Sequence, residues 1–581
     1  MNFDLDRIRE RLSTLDAVPL LAVLGILAGL SSGLIIILFR MVVELILSIF
    51  LPEHSENFEG LNPMVQGALP LTCAILLGAA FHYLSKDERR TGVSYVIERF
   101  NLYQGAISAR SLLVQFFGAA ATLIGGLSMG REGPAVHLGA AGGSLLGQWA
   151  RLPNNSVRIL TGCGCAAAIS ASFNTPIAGV IFAMEVIMME YSISTFIPII
   201  LASVVGASLT RAVYGHEPAF TIPPVQMGSL MELPFVVLCG VIIGCLAAAL
   251  IYLSLRFYQH THRLGIGWRF FLAGVVTAGC GYLAPEILGI GYDSVDAALA
   301  GSLAVSSLLL IMCLKLLATS ACVGAGLPAG VIGPSLFMGA MAGGLFGELG
   351  GALLPEESNF TLYVLLGMAG MMAATLEAPL AALMALLELT FEPNIIFPGM
   401  LVVVISSLIT SQVFRQKGIF QAFLEAQGIA LNVSPLALHL HRVGVAAVMD
   451  RNIRRVNQFI SQDEADDILK KQPNWLLIEK DGLPTHFMPA AELALYLAGL
   501  KQSDSKEVVP TTDTPSLNLL EIPAKRDNVT PVLLSATLHE ALDAMKKADV
   551  SAVYVRRMSA PNIYRVFGVV RKQDIEHYYQ I

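Results

Sequence analysis

One short motif occurs twice in altered form, and each copy opens an apolar segment. Gly130-Arg131-Glu132-Gly133-Pro134 leads into Ala135–Gly147, and Gly330-Val331-Ile332-Gly333-Pro334 leads into Ser335–Gly347. After each Gly-Pro the small residues nearly repeat, as Gly139-Ala140 with Gly142-Gly143 and as Gly339-Ala340 with Gly343-Gly344. Further on, Pro176-Ile177-Ala178 precedes Glu185 and Pro379-Leu380-Ala381 precedes Glu388, nine residues after the proline in both cases. Matching interrupted apolar segments in two halves of a chain mark membrane transporters whose broken helix ends build a substrate site near the bilayer midplane. The repeat therefore restricts the fold and locates a site.

The composition agrees with a membrane chain that carries a soluble tail. The sequence is 55% hydrophobic and 14% charged, with a mean hydropathy of +0.65, far from the soluble average. Residues 446–581 hold 35 charged side chains in 136 positions, against 46 in the other 445. A net charge of −7 spread over the chain gives no basic patch for a nucleic-acid partner. The eight cysteines all lie in apolar stretches and read as small buried hydrophobes rather than a disulfide framework or metal site.

Residues 1–17 carry Asp4, Asp6, Arg7, Arg9, Glu10 and Arg11 and read as an amphipathic cytoplasmic helix. The next apolar run, Val18–Leu51, is too long for a signal-peptide core. At roughly 20 residues per crossing it is one long tilted helix or a helix with a re-entrant end. Further apolar segments follow to about residue 413, several too short to cross alone and many separated by Gly or Pro, as in helices that enter, break and turn back. The repeats are expected over 18–232 and 233–428, with both termini cytoplasmic because Arg7, Arg9, Arg11, Arg415 and Lys417 flank the ends of the membrane part.

Pro134 and Pro334 suit the first turn of a helix. The glycines before them would present free backbone N–H groups and the positive end of a helix dipole, an anion site without a full charge. Packing turns of small residues are the alternative. Arg131 and Glu132, an ionisable pair between apolar segments, favour function at the first copy.

Gly130–Pro134, Phe173-Asn174-Thr175-Pro176-Ile177-Ala178-Gly179 and the second Gly-x-x-x-Pro loop together resemble the CLC family of chloride channels and chloride/proton antiporters, over about residues 18–426. The resemblance implies an all-α polytopic membrane protein of two inverted repeats of tilted and broken helices, working as a homodimer with one pore per subunit. It implies that Glu132 is the gate, closing the anion path when ionised and opening it when protonated. The anion-binding positions implied are Gly130, Arg131, Gly133, Val331 and Ile332, with Thr91 or Ser94 as the inner hydroxyl and Phe420 where the family has a pore tyrosine. Val186 falls at the inner proton site of the antiporters, and valine cannot carry a proton. Glu185 beside it reads as a helix-end carboxylate fixed by hydrogen bonds.

Other ionisable residues read structurally. Lys315 snorkels or pairs internally, His137 packs or is hydrogen-bonded, and Glu377 and Glu388 occupy the second repeat's counterpart of Phe173–Glu185. No nucleophile–base pair, Walker loop or metal-ligand cluster is present, so no enzyme is expected. The tail divides into two similar α/β units, 441–500 and 514–581, joined by the polar Lys501–Asp513 stretch. They resemble a CBS-domain pair, which implies a place for an adenine nucleotide with Asp574 holding the ribose. Arg571 stands where a Ser or Thr is usual, and a purely structural dimer contact is the other reading.

The expected function is transport of chloride and other small anions across a lipid membrane, in a multi-pass inner or plasma-membrane protein. Flux is gated by Glu132 and is passive or weakly proton-coupled. The alternative is a chloride/proton antiporter whose protons reach Glu132 through water. A more distant one is a CBS-containing divalent-cation transporter, which would need convergent carboxylates.

Overall fold

The computed structural model describes residues 12, 17–51, 57–216, 220, 222, 225, 227–353, 359–431, 435–503, 516–560 and 563–580. The expected N-terminal helix over 1–17 falls almost wholly outside them. The chain divides into a membrane unit, Val18–Arg151 with Val157–Asn432, and a second unit built mainly on Val433–Ile581.

The membrane unit is helical. Its first half runs α1 (Val18–Phe50), α2 (Pro63–His82), α3 (Gly92–Leu102), α4 (Ala109–Ile124), α5 (Glu132–Trp149), α6 (Asn154–Phe173), α7 (Pro176–Phe182, continued by a π-helical turn Ala183–Met188) and α8 (Ile193–Tyr214). Its second half repeats the order: α9 (Leu233–Thr261), α10 (Ile266–Leu283), α11 (Tyr292–Leu299), α12 (Val305–Ala325), α13 (Ile332–Leu353), α14 (Phe360–Leu376), α15 (Pro379–Thr390) and α16 (Ile396–Leu408, continued by a π-helical turn Ile409–Val413). A short α17, Ile419–Ala426, follows. Among the described residues, nine helical segments are long and apolar enough to cross a membrane. At 33 residues α1 is a single helix, about 50 Å long and therefore tilted in a hydrocarbon core of about 30 Å.

The two halves also pack alike. A Cβ placed on Gly139 of α5 would lie 2.3 Å from Gly164 O of α6, and one on Gly339 of α13 would lie 2.3 Å from Gly367 O of α14. In both repeats glycine lets the backbones of the buried helix pair touch, the approach that small residues give membrane helices. Pro176 and Pro379 each sit at the first position of their helices, where proline has no N–H to lose. Asn174 and Glu377, which precede them by two residues, both take left-handed backbones, at φ 60° and 58°.

The apolar segments read from sequence omit α3 and α11. Both are short and carry polar residues, such as Arg99 and Asn101 in α3 and Asp293 and Asp296 in α11, so neither reads as a membrane segment. Both border the candidate site.

The second unit is α/β. A six-stranded sheet has the order β1 (Ile453–Asn457), β3 (Trp475–Lys480), β4 (Leu483–Pro489), β6 (Asp527–Leu533), β7 (Ala552–Ala560), β8 (Ile563–Arg571); β2 (Phe459–Ile460) pairs apart with β5 (Leu517–Asn518). Each half of the sheet is one parallel pair followed by one antiparallel pair, β1–β3–β4 and then β6–β7–β8, and β4 joins β6 antiparallel. Each half has its own core. Leu538, Met545, Val553 and Val570 are buried in one, and Ala465, Leu476, Ile478 and Leu493 in the other. Thr537 and Glu540 form a capping box at the start of the helix Leu538–Ala548, which satisfies two otherwise orphaned donors. The Lys501–Asp513 stretch begins as the end of a helix, Ala490–Ser503, and the rest of it lies outside the described residues.

Candidate functional site

The two repeated motifs meet. Gly130 and Gly330 form an isolated antiparallel bridge; Gly130 N–H donates to Gly330 O at 2.7 Å and Gly330 N–H to Gly130 O at 2.8 Å. The approach requires glycine: a Cβ on Gly133 would lie 2.6 Å from Gly330 Cα, and one on Gly330 would lie 2.5 Å from Gly133 N. From this bridge α5 starts at Glu132 and α13 at Ile332, so Pro134 and Pro334 are the third residue of each helix and fall in its first turn.

Glu132 is fully buried. Its Oε2 accepts from Gly333 N–H of α13 at 3.2 Å, and its Oε1 accepts from the Tyr292 hydroxyl at 2.6 Å. The carboxylate of the first repeat therefore occupies the N-terminus of the second repeat's helix, where a negative charge is stabilised. Tyr292 escaped the sequence reading. It lies 160 positions from Glu132, and its only local signal is the Gly289-Ile290-Gly291 turn before it.

Arg131 lines a different cavity from Thr91, Ser94 and Phe420. A cavity of about 260 Å³ is bounded by Arg40, Arg131, Asn174, Thr210, Tyr214 and Tyr292. The Arg131 guanidinium lies 4.0 Å from Glu44 Oε1 and over the Tyr292 ring at 5.6 Å, while Arg40 Nε reaches Glu44 Oε1 at 2.5 Å. A second cavity of about 860 Å³ brings together Thr91, Ser94, Gly133, Val331 and Phe420, with Arg89, Arg90 and Arg269 also on its wall. Gly130, Arg131 and Ile332 do not line it: Gly130 is taken up by the bridge, and Ile332 is fully buried as the first residue of α13.

Thr91 and Ser94 both reach the large cavity. Thr91 holds the N-cap position of α3 with an extended backbone and makes no cap hydrogen bond, whereas Ser94 Oγ donates to Phe420 O at 3.4 Å. The start of α3 is tied down from behind. Gly92 N–H donates to Gln115 Oε1 at 2.7 Å and to His137 Nδ1 at 3.1 Å. His137 Nε2 meets Ser111 Oγ at 3.0 Å, and the Tyr95 ring stacks on the imidazole at 4.9 Å. Gln115 Nε2 donates to Pro328 O at 2.9 Å, which links this loop to the second repeat. His137 is thus hydrogen-bonded, and Gln115 is a member of the site that no sequence motif singled out.

The proline-helix glutamates act in trade. Glu185 accepts from Leu380 N–H at 3.2 Å and Ala381 N–H at 2.8 Å; Glu388 accepts from Ile177 N–H at 2.9 Å and Ala178 N–H at 2.8 Å. Each caps the first turn of the other repeat's helix, which supplies partners for N–H groups that have none within the helix. Val186 is buried in the π-helical turn beside Glu185. Glu377 accepts from Gly418 N–H at 2.8 Å. Lys315 is fully buried and pairs internally, with its Nζ donating to Ile287 O, Gly289 O and Ile290 O at 3.0, 2.9 and 3.2 Å.

In the tail, Asp574 Oδ2 accepts from both the backbone N–H and Nε of Arg571 at 3.0 Å, and Oδ1 takes the guanidinium Nη2. The residue standing where a Ser or Thr was expected thus holds the carboxylate itself.

Paired helix N-termini from two inverted repeats, closing on a buried carboxylate between two arginine-lined cavities, define a membrane transport protein for small anions. The chain belongs to the voltage gated chloride channel family, whose profile matches residues 73–411. It is 31% identical over 341 residues to a protein of Ralstonia nicotianae described as ClcB-like, covering 57% of this chain and 79% of that one. It is 25% identical over 425 residues to the H(+)/Cl(-) exchange transporter ClcA of Vibrio cholerae serotype O1, covering 69% and 88%. The crystal structure of a eukaryotic CLC transporter shares the fold at a TM-score of 0.59 and 18% identity, covering 98% of both chains.

Proposed function

We propose that the protein carries chloride through one pore per subunit of a homodimer, gated by protonation of Glu132, in a passive or weakly proton-coupled mode. The observation that carries this reading is the fully buried Glu132 carboxylate at the N-terminus of α13, accepting from Gly333 N–H at 3.2 Å. An ionised carboxylate there competes with chloride for the same N–H groups and dipole. Protonation removes its charge, and the anion takes its place. The large cavity is then the cytoplasmic vestibule, with Thr91, Ser94 and Phe420 on the inner anion path, and the cavity at Arg40 and Arg131 is the outer mouth. The weak coupling rests on Val186, which has no proton to exchange.

The test is chloride efflux from liposomes across a pH series, with wild type beside Glu132→Gln. Wild-type flux should rise with acid, and Glu132→Gln should conduct at all pH values. Equal, pH-independent fluxes in the two would end the gating reading.

A second reading, chloride/proton antiport with protons arriving through water, is favoured by the size of the large cavity and its reach to Gly133 and Gly330 at the gate. The reversal potential under a chloride gradient with a superimposed pH gradient separates the two, because only coupled exchange moves it off the chloride equilibrium value. For the tail we favour a CBS pair on its two β-α-β-β halves. The Arg571–Asp574 pairing supports a structural role over a nucleotide site.

A further inference from the structure

Among the described residues, Tyr292 is the one hydrogen-bond partner of the Glu132 carboxylate that neither repeated motif contains, and several contacts hold it in place. Tyr292 is the first residue of α11, and its ring meets Phe220 edge-on at 5.7 Å while the Arg131 guanidinium lies over it at 5.6 Å. The turn that presents it is built on two left-handed glycines. Gly289 and Gly291 take φ values of 60° and 80°, a region that L side chains rarely enter. A Cβ on Gly291 would also lie 2.7 Å from the Phe337 ring of α13.

Beneath this turn lies Lys315. Its three N–H donors go to three carbonyls of the turn, Ile287 O, Gly289 O and Ile290 O, and its Nζ is 4.5 Å from the Phe337 ring centre. A fully buried ammonium is costly unless all its donors are used, so the side chain that carries it is a fastening for the turn. The fastening runs from α12 through the turn to Tyr292, and from Tyr292 to the gate.

We propose that Tyr292, presented by the Lys315-fastened turn, is the outer latch of the gate: its hydroxyl holds the Glu132 carboxylate in the closed position and sets how acid the medium must be before the gate opens. This rests on the reading of Glu132 as the gate. The donor is stronger toward the ionised carboxylate than toward the neutral acid, so it selectively stabilises the closed state. The other charged groups facing this corner are Arg131 on the gate loop, Arg40 and Glu44 from α1, Asp293 and Asp296 on α11 with Glu59 and Glu286 near Asp293, and Lys315 from α12. None of these is changed by removing the tyrosine hydroxyl.

The experiment is chloride efflux from liposomes over a pH series for wild type, Tyr292→Phe, Glu132→Gln and the double variant. Tyr292→Phe deletes one oxygen and keeps the ring packing. Its acid-activation midpoint should move to higher pH by about one to two units, the loss of one hydrogen bond to a charged group. In the Glu132→Gln background the same substitution should leave the pH profile unchanged. A midpoint in Tyr292→Phe equal to wild type, while Glu132→Gln abolishes the pH response, would overturn the latch and leave the gate standing. A pH response that survives in Glu132→Gln would instead overturn the gate. Lys315→Met, if it folds, should move the midpoint in the same direction as Tyr292→Phe; an unmoved midpoint there would remove the fastening from the proposal.

Discussion

Gly130 and Gly330 exchange both backbone hydrogen bonds, at 2.7 and 2.8 Å, across the junction of the two repeats. The same reciprocity recurs at Glu185 and Glu388, each capping the helix that leads to the other. Reciprocal contacts of equivalent residues are what a two-fold relation between two halves produces, so the inverted repeat is visible here in individual bonds. The bridge fixes the distance between the N-termini of α5 and α13, and with it the width of the candidate anion site.

A methyl group on Gly330 has no room, since its Cβ would meet Gly133 N at 2.5 Å and Gly133 Cα at 2.9 Å, both backbone. Gly330→Ala should therefore force the two helix ends apart. The expected outcome is loss of chloride flux by tenfold or more, about 1.4 kcal/mol or above, and a lower unfolding temperature. Gly279→Ala, which would meet nothing within 4 Å, is the control and should keep both. Wild-type flux in Gly330→Ala would show that the bridge does not set the path.

Glu185 and Glu388 should behave as a structural pair and not as a proton relay. A glutamine offers one acceptor oxygen and one amide where the carboxylate offers two acceptors, so Glu185→Gln leaves one N–H of the Leu380-Ala381 pair facing a donor. Each single Gln variant should lose about 1–3 kcal/mol of stability, read as a fall in detergent unfolding temperature that is similar for the two. Neither should alter the reversal potential under a pH gradient. A shift confined to Glu185→Gln would assign it to proton transfer.

The contrast between legible and hidden residues has a physical cause. Glu185 and Glu388 were readable because a nine-residue spacing from proline recurred, and local spacing survives in the chain. Glu132 was readable because a charge between apolar segments needs a reason. Tyr292 and Gln115 were not. Their partners, Glu132 and Gly92, lie 160 and 23 positions away, and an aromatic residue or an amide in such company has ordinary uses. The helices α3 and α11 were missed because short, half-polar helices lack the apolar run on which membrane segments are recognised. Thr91 and Ser94 stayed unresolved as alternatives because one turn at the start of α3 carries both to the same cavity.

His137 should act on the loop that carries Thr91. Its Nδ1 is one of two acceptors for Gly92 N–H, and leucine of similar size would remove it while leaving Ser111 facing an apolar group. His137→Leu is expected to cost about 1 kcal/mol in the ordering of this loop and roughly a fivefold loss of flux. His137→Gln, which can again accept from Gly92, should recover part of it. Equal losses in both variants would make the histidine a packing residue only.

His486 in β4 gives the tail a pH dependence. Burial, then Arg526 and Lys480, push its pKa below the ordinary histidine value, so the folded tail binds fewer protons there than the unfolded chain does. Stability is then fully present above about pH 6.5 and declines as pH falls toward the depressed value. In full-length protein, amide exchange at the β4–β6 pairing of His486 with Asn528 and Phe487 with Asp527 should accelerate on going from about pH 7 to about pH 5 once intrinsic rates are corrected. His486→Asn should flatten this dependence. An unchanged slope in the variant would exclude the histidine as its source.

Phe420 offers the most direct probe of the proposed anion path through the large cavity. Phe420 lines the large cavity, and its carbonyl accepts from Ser94 Oγ, so a change at the ring tip leaves that backbone contact in place. Phe420→Tyr adds one hydroxyl donor to a wall already shared by Thr91 and Ser94. A hydrogen bond to a charged partner is worth about 1.5–3 kcal/mol, part of which goes to desolvating the new hydroxyl, so chloride should bind roughly five- to tenfold more tightly by calorimetry in detergent. Phe420→Leu removes the ring and adds no donor, and its affinity should stay near wild type. Tighter binding in the tyrosine variant alone would place an anion within reach of position 420; equal affinities in all three would move the inner site back toward Thr91 and the N-terminus of α3.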